Sequence, residues 1–298
     1  MDGKKPDSMK NLSEFTGKEV VPIFSGGGTR LPAHIGILQA MNELNVDFSH
    51  IVGVSGGSIV SSLYAAGFSL SDIKQLAMET DFNKFRSISL LRLLMQGGLS
   101  SGDKFESWID QKLEGREFKD MAMDFHVLAT DVNGGGPMIF DKTNTPDLKV
   151  SRAVRFSMSI PLIFSFKTYQ EHVLVDGAIL SEDALFRDWA GDKTPAICFR
   201  LKSDPQTNKT FKKPMFPLKS YVLMLVRTFM NAISREYVHA EHWHNTIVVN
   251  TGTMSSVDFN MSSDQKQMLY DSGYLTALEY IPKKIQQCSA HEALLRHA

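Results

Sequence analysis

Short apolar runs alternate along the chain with longer stretches in which apolar residues return every three or four positions, and glycine-rich turns separate several of them. Residues 19–24 hold Val20, Val21 and Ile23 and predict a strand; Gly26-Gly27-Gly28 follows at once, and residues 33–44 take up helical spacing. The same order returns as a strand over residues 50–54, the turn Ser55-Gly56-Gly57 and a helix over 58–66. Further strands are predicted at 125–130, 172–175, 195–201 and 246–250, and helices at 103–113, 218–241, 263–280 and 284–297. This alternation predicts an α/β fold, a three-layer α/β/α sandwich around a mainly parallel central sheet. Open sheets of that class collect reactive groups at the carboxyl ends of their strands, where both glycine turns fall. The polar residues 1–17 read as a flexible N-terminal segment, 18–282 as one domain and 283–298 as a helical tail.

Composition narrows the picture. A chain of 298 residues that is 43% hydrophobic can bury one substantial core. Lys and Arg number 32 against 33 Asp and Glu, a formal net charge of −1, so no global basic field draws nucleic acid, and any peripheral membrane contact has to be local. Cys198 and Cys288 are the only cysteines, which excludes a disulfide framework and fits a reducing compartment. The first residues lack the apolar stretch of a signal peptide, and no segment reaches the roughly 18 apolar residues of a spanning helix. The expectation is a cytoplasmic protein with peripheral membrane contact left open; the sequence says nothing of its oligomeric state.

Three motifs carry chemistry. Gly53-Val54-Ser55-Gly56-Gly57 is a G-x-S-x-G pattern between a strand and a helix, the setting of a nucleophile elbow, in which a sharp turn exposes the serine and the flanking residues must be small. An ordinary turn between strand and helix can match the bare pattern. Ser25-Gly26-Gly27-Gly28-Thr29-Arg30 offers consecutive unhindered N–H groups, which suits an oxyanion hole. A phosphate loop fits it poorly, because no Gly-Lys-Ser/Thr follows and Leu31 stands where a dinucleotide fingerprint needs its third glycine; Asp47, a candidate ribose-binding acid, precedes the second strand instead of closing it. Val173-Leu174-Val175-Asp176-Gly177-Ala178 ends an apolar strand in an acid that can meet a serine, although strand-end aspartates also serve as turn formers.

In this order and at these strand ends, Gly26-Gly27-Gly28, Gly53-x-Ser55-x-Gly57 and Asp176-Gly177-Ala178 resemble the patatin-like phospholipase family. The likeness runs from about Val20 to Tyr280; residues 157–164, Ser-Met-Ser-Ile-Pro-Leu-Ile-Phe, resemble the family's proline-containing segment ahead of the aspartate strand, and Ala129-Thr130-Asp131 its preceding strand end. Leu31-Pro32 and Ser181-Glu182 depart from the family's usual glycine and Asn-Pro at those places. The resemblance implies a patatin-like fold and a phospholipase A or lysophospholipase activity on phospholipid or lysophospholipid esters. It also implies Ser55 as nucleophile, Asp176 as its only side-chain base, Gly26, Gly27 and Gly28 as the oxyanion loop, and no metal or other cofactor. Because an exposed aspartate has a pKa near 3.9 and is a weak base, the dyad requires Asp176 to be buried.

Two further features stay open. His239, His242 and His244 close a long helical pattern and offer either a helix-end cluster or the third member of a Ser-Asp-His carboxylesterase, while a noncatalytic lipid-binding module is the other alternative. Residues 82–99 interleave Phe82, Phe85, Ile88, Leu90, Leu91, Leu93, Leu94 and Met95 with Lys84, Arg86 and Arg92. That mixture is either a core element or a lipid interface in which Arg86 and Arg92 meet phosphates.

Overall fold

The computed structural model describes residues 19–85, 89–179, 182–204 and 240–296, together with 221, 224, 225 and 228. Its first two strands arise where they are expected. β1 (Val21–Ser25) leads through the glycine loop into α1 (Leu31–Glu43), and β2 (His50–Val54) leads through Ser55 into α2 (Gly56–Ala65). Then come α3 (Leu70–Glu79), a 3-10 turn (Phe82–Phe85), α4 (Leu90–Gln96), β3 (Gly98–Ser100), α5 (Asp103–Lys112), β4 (Asp124–Asp131), β5 (Gly136–Phe140) and α6 (Val150–Ser157). β6 (Leu162–Phe164), β7 (Lys167–Tyr169), β8 (His172–Val175), α7 (Glu182–Leu185), β9 (Ala196–Lys202), β10 (Thr246–Asn250) and α8 (Ser263–Arg296) complete the order.

The main sheet runs β10-β9-β1-β2-β4-β8-β7, with β5 also on β4. The pairs from β10 to β4 are parallel, whereas β5 and β8 run antiparallel to β4. A small parallel pair, β3 with β6, stands apart. The period of two along the central strands splits the core into two faces. Phe24, Ile51, Val127, Ala129 and Phe199 join the cluster that takes in α1, α2, α6 and α8, while Ile23, Val52, Val54, Leu128 and Cys198 pack with Leu185 and Trp189 on the other side. This is the expected α/β sandwich, built on a mixed sheet that is parallel from β10 to β4 and antiparallel beyond it.

Most of the helix predicted over 218–241 lies outside the described residues; within it 221, 224, 225 and 228 are helical, and its last two positions open a 3-10 turn, Ala240–Asn245. The helices predicted at 263–280 and 284–297 form one helix, α8, with Pro282 inside it. A proline in a helix interior costs about 3 kcal/mol, but Leu269, Ala277, Ile281, Ile285 and Cys288 carry one buried stripe across it, so packing outweighs the lost hydrogen bond. Near its start, Lys266 Nζ donates to the carbonyls of Ala77, Met78 and Thr80 at 3.1, 2.8 and 2.8 Å, closing the C-terminus of α3.

Candidate active site

Strand register brings the candidate residues to one level. Val54 pairs with Leu128 across β2 and β4, and Thr130 pairs with Val175 across β4 and β8, so the residues that follow, Ser55 and Asp176, both flank Ala129. β1 lies beside β2, so the glycine loop leaves the sheet at the same edge.

Ser55 stands between β2 and α2 at φ 53°, ψ −129°. A non-glycine residue in that region carries about 1–3 kcal/mol of strain, held here by packing. A Cβ at Gly53, Gly57 or Gly177 would sit 2.5 Å from Ser58 Cα, 2.0 Å from the Phe24 carbonyl oxygen or 2.1 Å from that of Leu128, which explains the small residues of two motifs. The Ser55 N–H donates to Ser157 Oγ at 2.8 Å, fixing the elbow to the end of α6. α2 aims its N-terminus at the serine.

Ser55 Oγ donates to Asp176 Oδ2 at 2.6 Å, and Met158 Sδ lies 3.8 Å from the same oxygen. Both residues of the pair are fully buried. Asp176 Oδ1 accepts the Ala178 N–H at 2.9 Å, and its own N–H donates to the Ser159 carbonyl at 3.0 Å. Burial pushes the Asp176 carboxyl up to about 6, against the opposing pull of its bonds from Ser55 and Ala178. Among the described residues, no histidine is a hydrogen-bond partner of either residue. His239 lies outside the described residues; His242 belongs to the 3-10 turn, its ring stacked on Phe186 at 4.0 Å, and His244 belongs to the same turn.

The glycine loop divides its labour differently from the expectation. Gly26 N–H donates to the Val54 carbonyl at 3.1 Å, and Gly26 O accepts the Gly57 N–H at 3.0 Å, so this glycine ties the loop to the elbow and its donor is taken. Among the described residues, Gly27 and Gly28 N–H have no acceptor, which leaves these two to receive an oxyanion. Gly28, at φ 54°, is pressed against Ser256: a Cβ there would lie 2.0 Å from the Ser256 carbonyl oxygen, which also accepts the Thr29 N–H at 2.9 Å.

Two buried side chains brace the loop in roles that helical spacing alone does not reveal. His34 Nε2 lies 3.1 Å from Gly26 O; since a carbonyl only accepts, this nitrogen carries the proton. Burial, with the nearby Arg30 cation, holds the His34 imidazole down at about 4, so it is neutral. Arg30 donates to Gly27 O at 3.2 Å, Thr251 Oγ1 at 2.8 Å and Leu201 O at 3.2 Å; burial draws its guanidinium down to about 10.

An apolar cleft adjoins the serine. Gly28 and Met158 join it to the candidate pair, and Ile59, Phe82, Phe85, Phe105, Ile160, Phe164 and Phe259 line it. The segment over 82–99 therefore splits. Phe82 and Phe85 are buried cleft wall, Arg86 lies outside the described residues, and α4 turns Leu91, Leu94 and Met95 outward. No cluster of three metal-ligating side chains occurs among the described residues. Among them, no helix is long and apolar enough to cross a membrane.

Known proteins resemble this chain over part or most of its length. A family model described as "Patatin-like phospholipase" matches residues 23–185. An uncharacterised protein of Acanthamoeba polyphaga mimivirus is 27% identical over 292 residues, covering 93% of this chain and 97% of that protein. Patatin-like phospholipase domain-containing protein 6 of Homo sapiens is 27% identical over 173 residues, 56% of this chain but 12% of that protein. Among solved structures, VipD of Legionella pneumophila aligns with a TM-score of 0.58 at 15% identity over 92% of this chain and 67% of its own. ExoU of Pseudomonas aeruginosa, solved with SpcU, aligns at 0.53 and 14% identity over 91% of this chain and 53% of its own. At such identities the two structures speak for the fold.

Proposed function

Since the chain belongs to the patatin-like phospholipase family, we propose that it hydrolyses carboxylic esters of phospholipids or lysophospholipids through a Ser55-Asp176 dyad and an acyl-enzyme. The observation that carries this reading is the 2.6 Å bond from Ser55 Oγ to a fully buried carboxyl whose pKa is raised to about 6. Such a group is a base of useful strength at neutral pH.

In the proposed reaction, Oγ attacks the ester carbonyl carbon as Asp176 takes its proton, and the negative charge gathers on the former carbonyl oxygen within reach of the Gly27 and Gly28 N–H groups. Collapse of the tetrahedral species breaks the bond to the leaving alkoxide, to which Asp176 returns the proton. A water then attacks the acyl-enzyme, losing its proton to Asp176, and the second collapse breaks the bond to Oγ, which takes that proton back from Asp176, freeing the fatty acid and restoring the serine hydroxyl. Ile59, Phe82, Phe85 and Ile160 give the cleft beside the serine an apolar lining that suits an acyl chain. No step calls on a histidine or a metal.

The pH dependence tests this directly. Asp176 accepts a proton only when ionised, so kcat/KM on a soluble monomeric ester is expected to rise about tenfold per pH unit up to about 6 and then level off. A profile that stays flat well below pH 5, or an inflection that vanishes when His242 or His244 is replaced by alanine, would count against Asp176 as the base and for the histidine alternative.

A further inference from the structure

α4 presents an apolar face that no other part of the described structure covers. Leu91, Leu94 and Met95 are 67%, 83% and 75% exposed, and Phe166, whose ring adjoins Gly97 at the end of the helix, is 46% exposed. Leu162 extends the patch at 37% exposure, from a left-handed backbone of φ 66° that a branched residue seldom adopts. A contiguous exposed apolar patch of this kind marks a contact surface.

The inner side of the same helix backs the wall of the cleft. Leu93 packs on the cluster of Leu99, Ile160, Ile163, Phe164 and Val257, and Ile160 and Phe164 are themselves cleft wall. Whatever sits on the outer face is thus about one helix thickness, roughly 10 Å, from the path to Ser55. A protein partner or second copy seated there would crowd the substrate's entrance, whereas a lipid surface would supply it. The helix carries no carboxylate; its one charged residue is Arg92, and the exposed Lys84 stands on the preceding turn, so the local sign favours phosphate headgroups.

We propose that α4, with Phe166, is the docking face for a phospholipid surface, seating Leu91, Leu94 and Met95 among acyl chains beside the mouth of the cleft. The proposal rests on the lipid-hydrolase reading and names the surface from which that site is fed. The test is cosedimentation with phosphatidylcholine vesicles containing about one-fifth phosphatidylserine, using wild type, Ser55→Ala and the double variant Leu94→Glu/Met95→Glu. The double variant is expected to bind vesicles at least about tenfold more weakly, with its melting temperature and its rate on a soluble monomeric ester unchanged. Ser55→Ala is expected to bind like wild type. A Leu94→Trp variant is expected to shift its emission to the blue when vesicles are added. Unchanged vesicle binding by the double variant, or no spectral shift at Trp introduced for Leu94, overturns the docking face. So does light scattering that shows a wild-type dimer split by the Glu pair, since the face then belongs to a second copy. If wild type cleaves no ester at all, the site reading fails, while the binding data still decide the role of α4.

Discussion

Ser55→Ala and Asp176→Asn are each expected to abolish ester hydrolysis, by on the order of 10⁴-fold or more in kcat, and the double variant should be no worse than either single one. The reason is that the two side chains perform one proton transfer: without Oγ there is nothing to deprotonate, and an amide cannot accept the proton that Oγ must lose. Their effects on stability should diverge. A carboxyl raised from 3.8 to about 6 binds its proton more tightly in the folded protein than in the unfolded chain, so folding becomes less favourable as pH rises between those values. Holding Asp176 ionised then costs on the order of 3 kcal/mol at neutral pH. Asp176→Asn removes that cost while an amide oxygen can still accept from Ser55. The inactive variant is therefore expected to melt above wild type at pH 7, with the gap closing as pH falls from about 6 to about 4. Thermal melts across pH, paired with initial rates, check both halves. An Asp176→Asn protein that keeps most of its kcat, or that melts lower than wild type at pH 7, would contradict the assignment.

The second large effect is expected at the glycine loop. Gly28→Val should lower kcat by about 100- to 1,000-fold, the range seen when a preorganised oxyanion donor is lost. Gly28 holds φ 54° and its missing side chain faces the Ser256 carbonyl oxygen at 2.0 Å, so a branched residue must displace the loop and its free N–H together. Gly26→Ala offers the contrast. Gly26 has open space beside it and its N–H is already bonded to Val54 O, so only the strain of φ 73° is added and kcat should fall far less. Equal losses in both variants, with melting temperatures matched, would show that the loop acts as a spacer and not as a donor pair.

Much of this arrangement is legible in the residues alone, and the reasons it stops are physical. Val21, Ile23, Ile51 and Val52 form runs buried on both sheet faces, so β1, β2 and the turns after them stand out by hydrophobicity and glycine together. The Asp176 turn is legible for the same reason. β5 and β7 are short edge strands with partly exposed residues, and their pattern is too weak to read before β4 is there to pair with. The antiparallel return of β8, which brings Asp176 level with Ser55, is a fact of register that no local spacing contains. At the loop, Gly26, Gly27 and Gly28 look alike until the sheet claims one donor. Periodicity marks the 82–99 segment as apolar, yet burial of Phe82 at 6% and exposure of Leu94 at 83% depend on which side meets the core. His34 reads only as a helical residue and Ser157 only as the start of a family-like segment, because each braces the site through a contact made across a turn or distant in sequence.

In the proposed mechanism Ser55 carries the covalent intermediate. Rapid acid quenching of wild type during turnover of an ester, followed by digestion and mass measurement, tests it most directly. The acyl group is expected on the peptide that contains Ser55, and absent from Ser55→Ala treated in the same way. Turnover with the acyl group on another residue, or steady hydrolysis by the Ser55→Ala protein, would contradict the account.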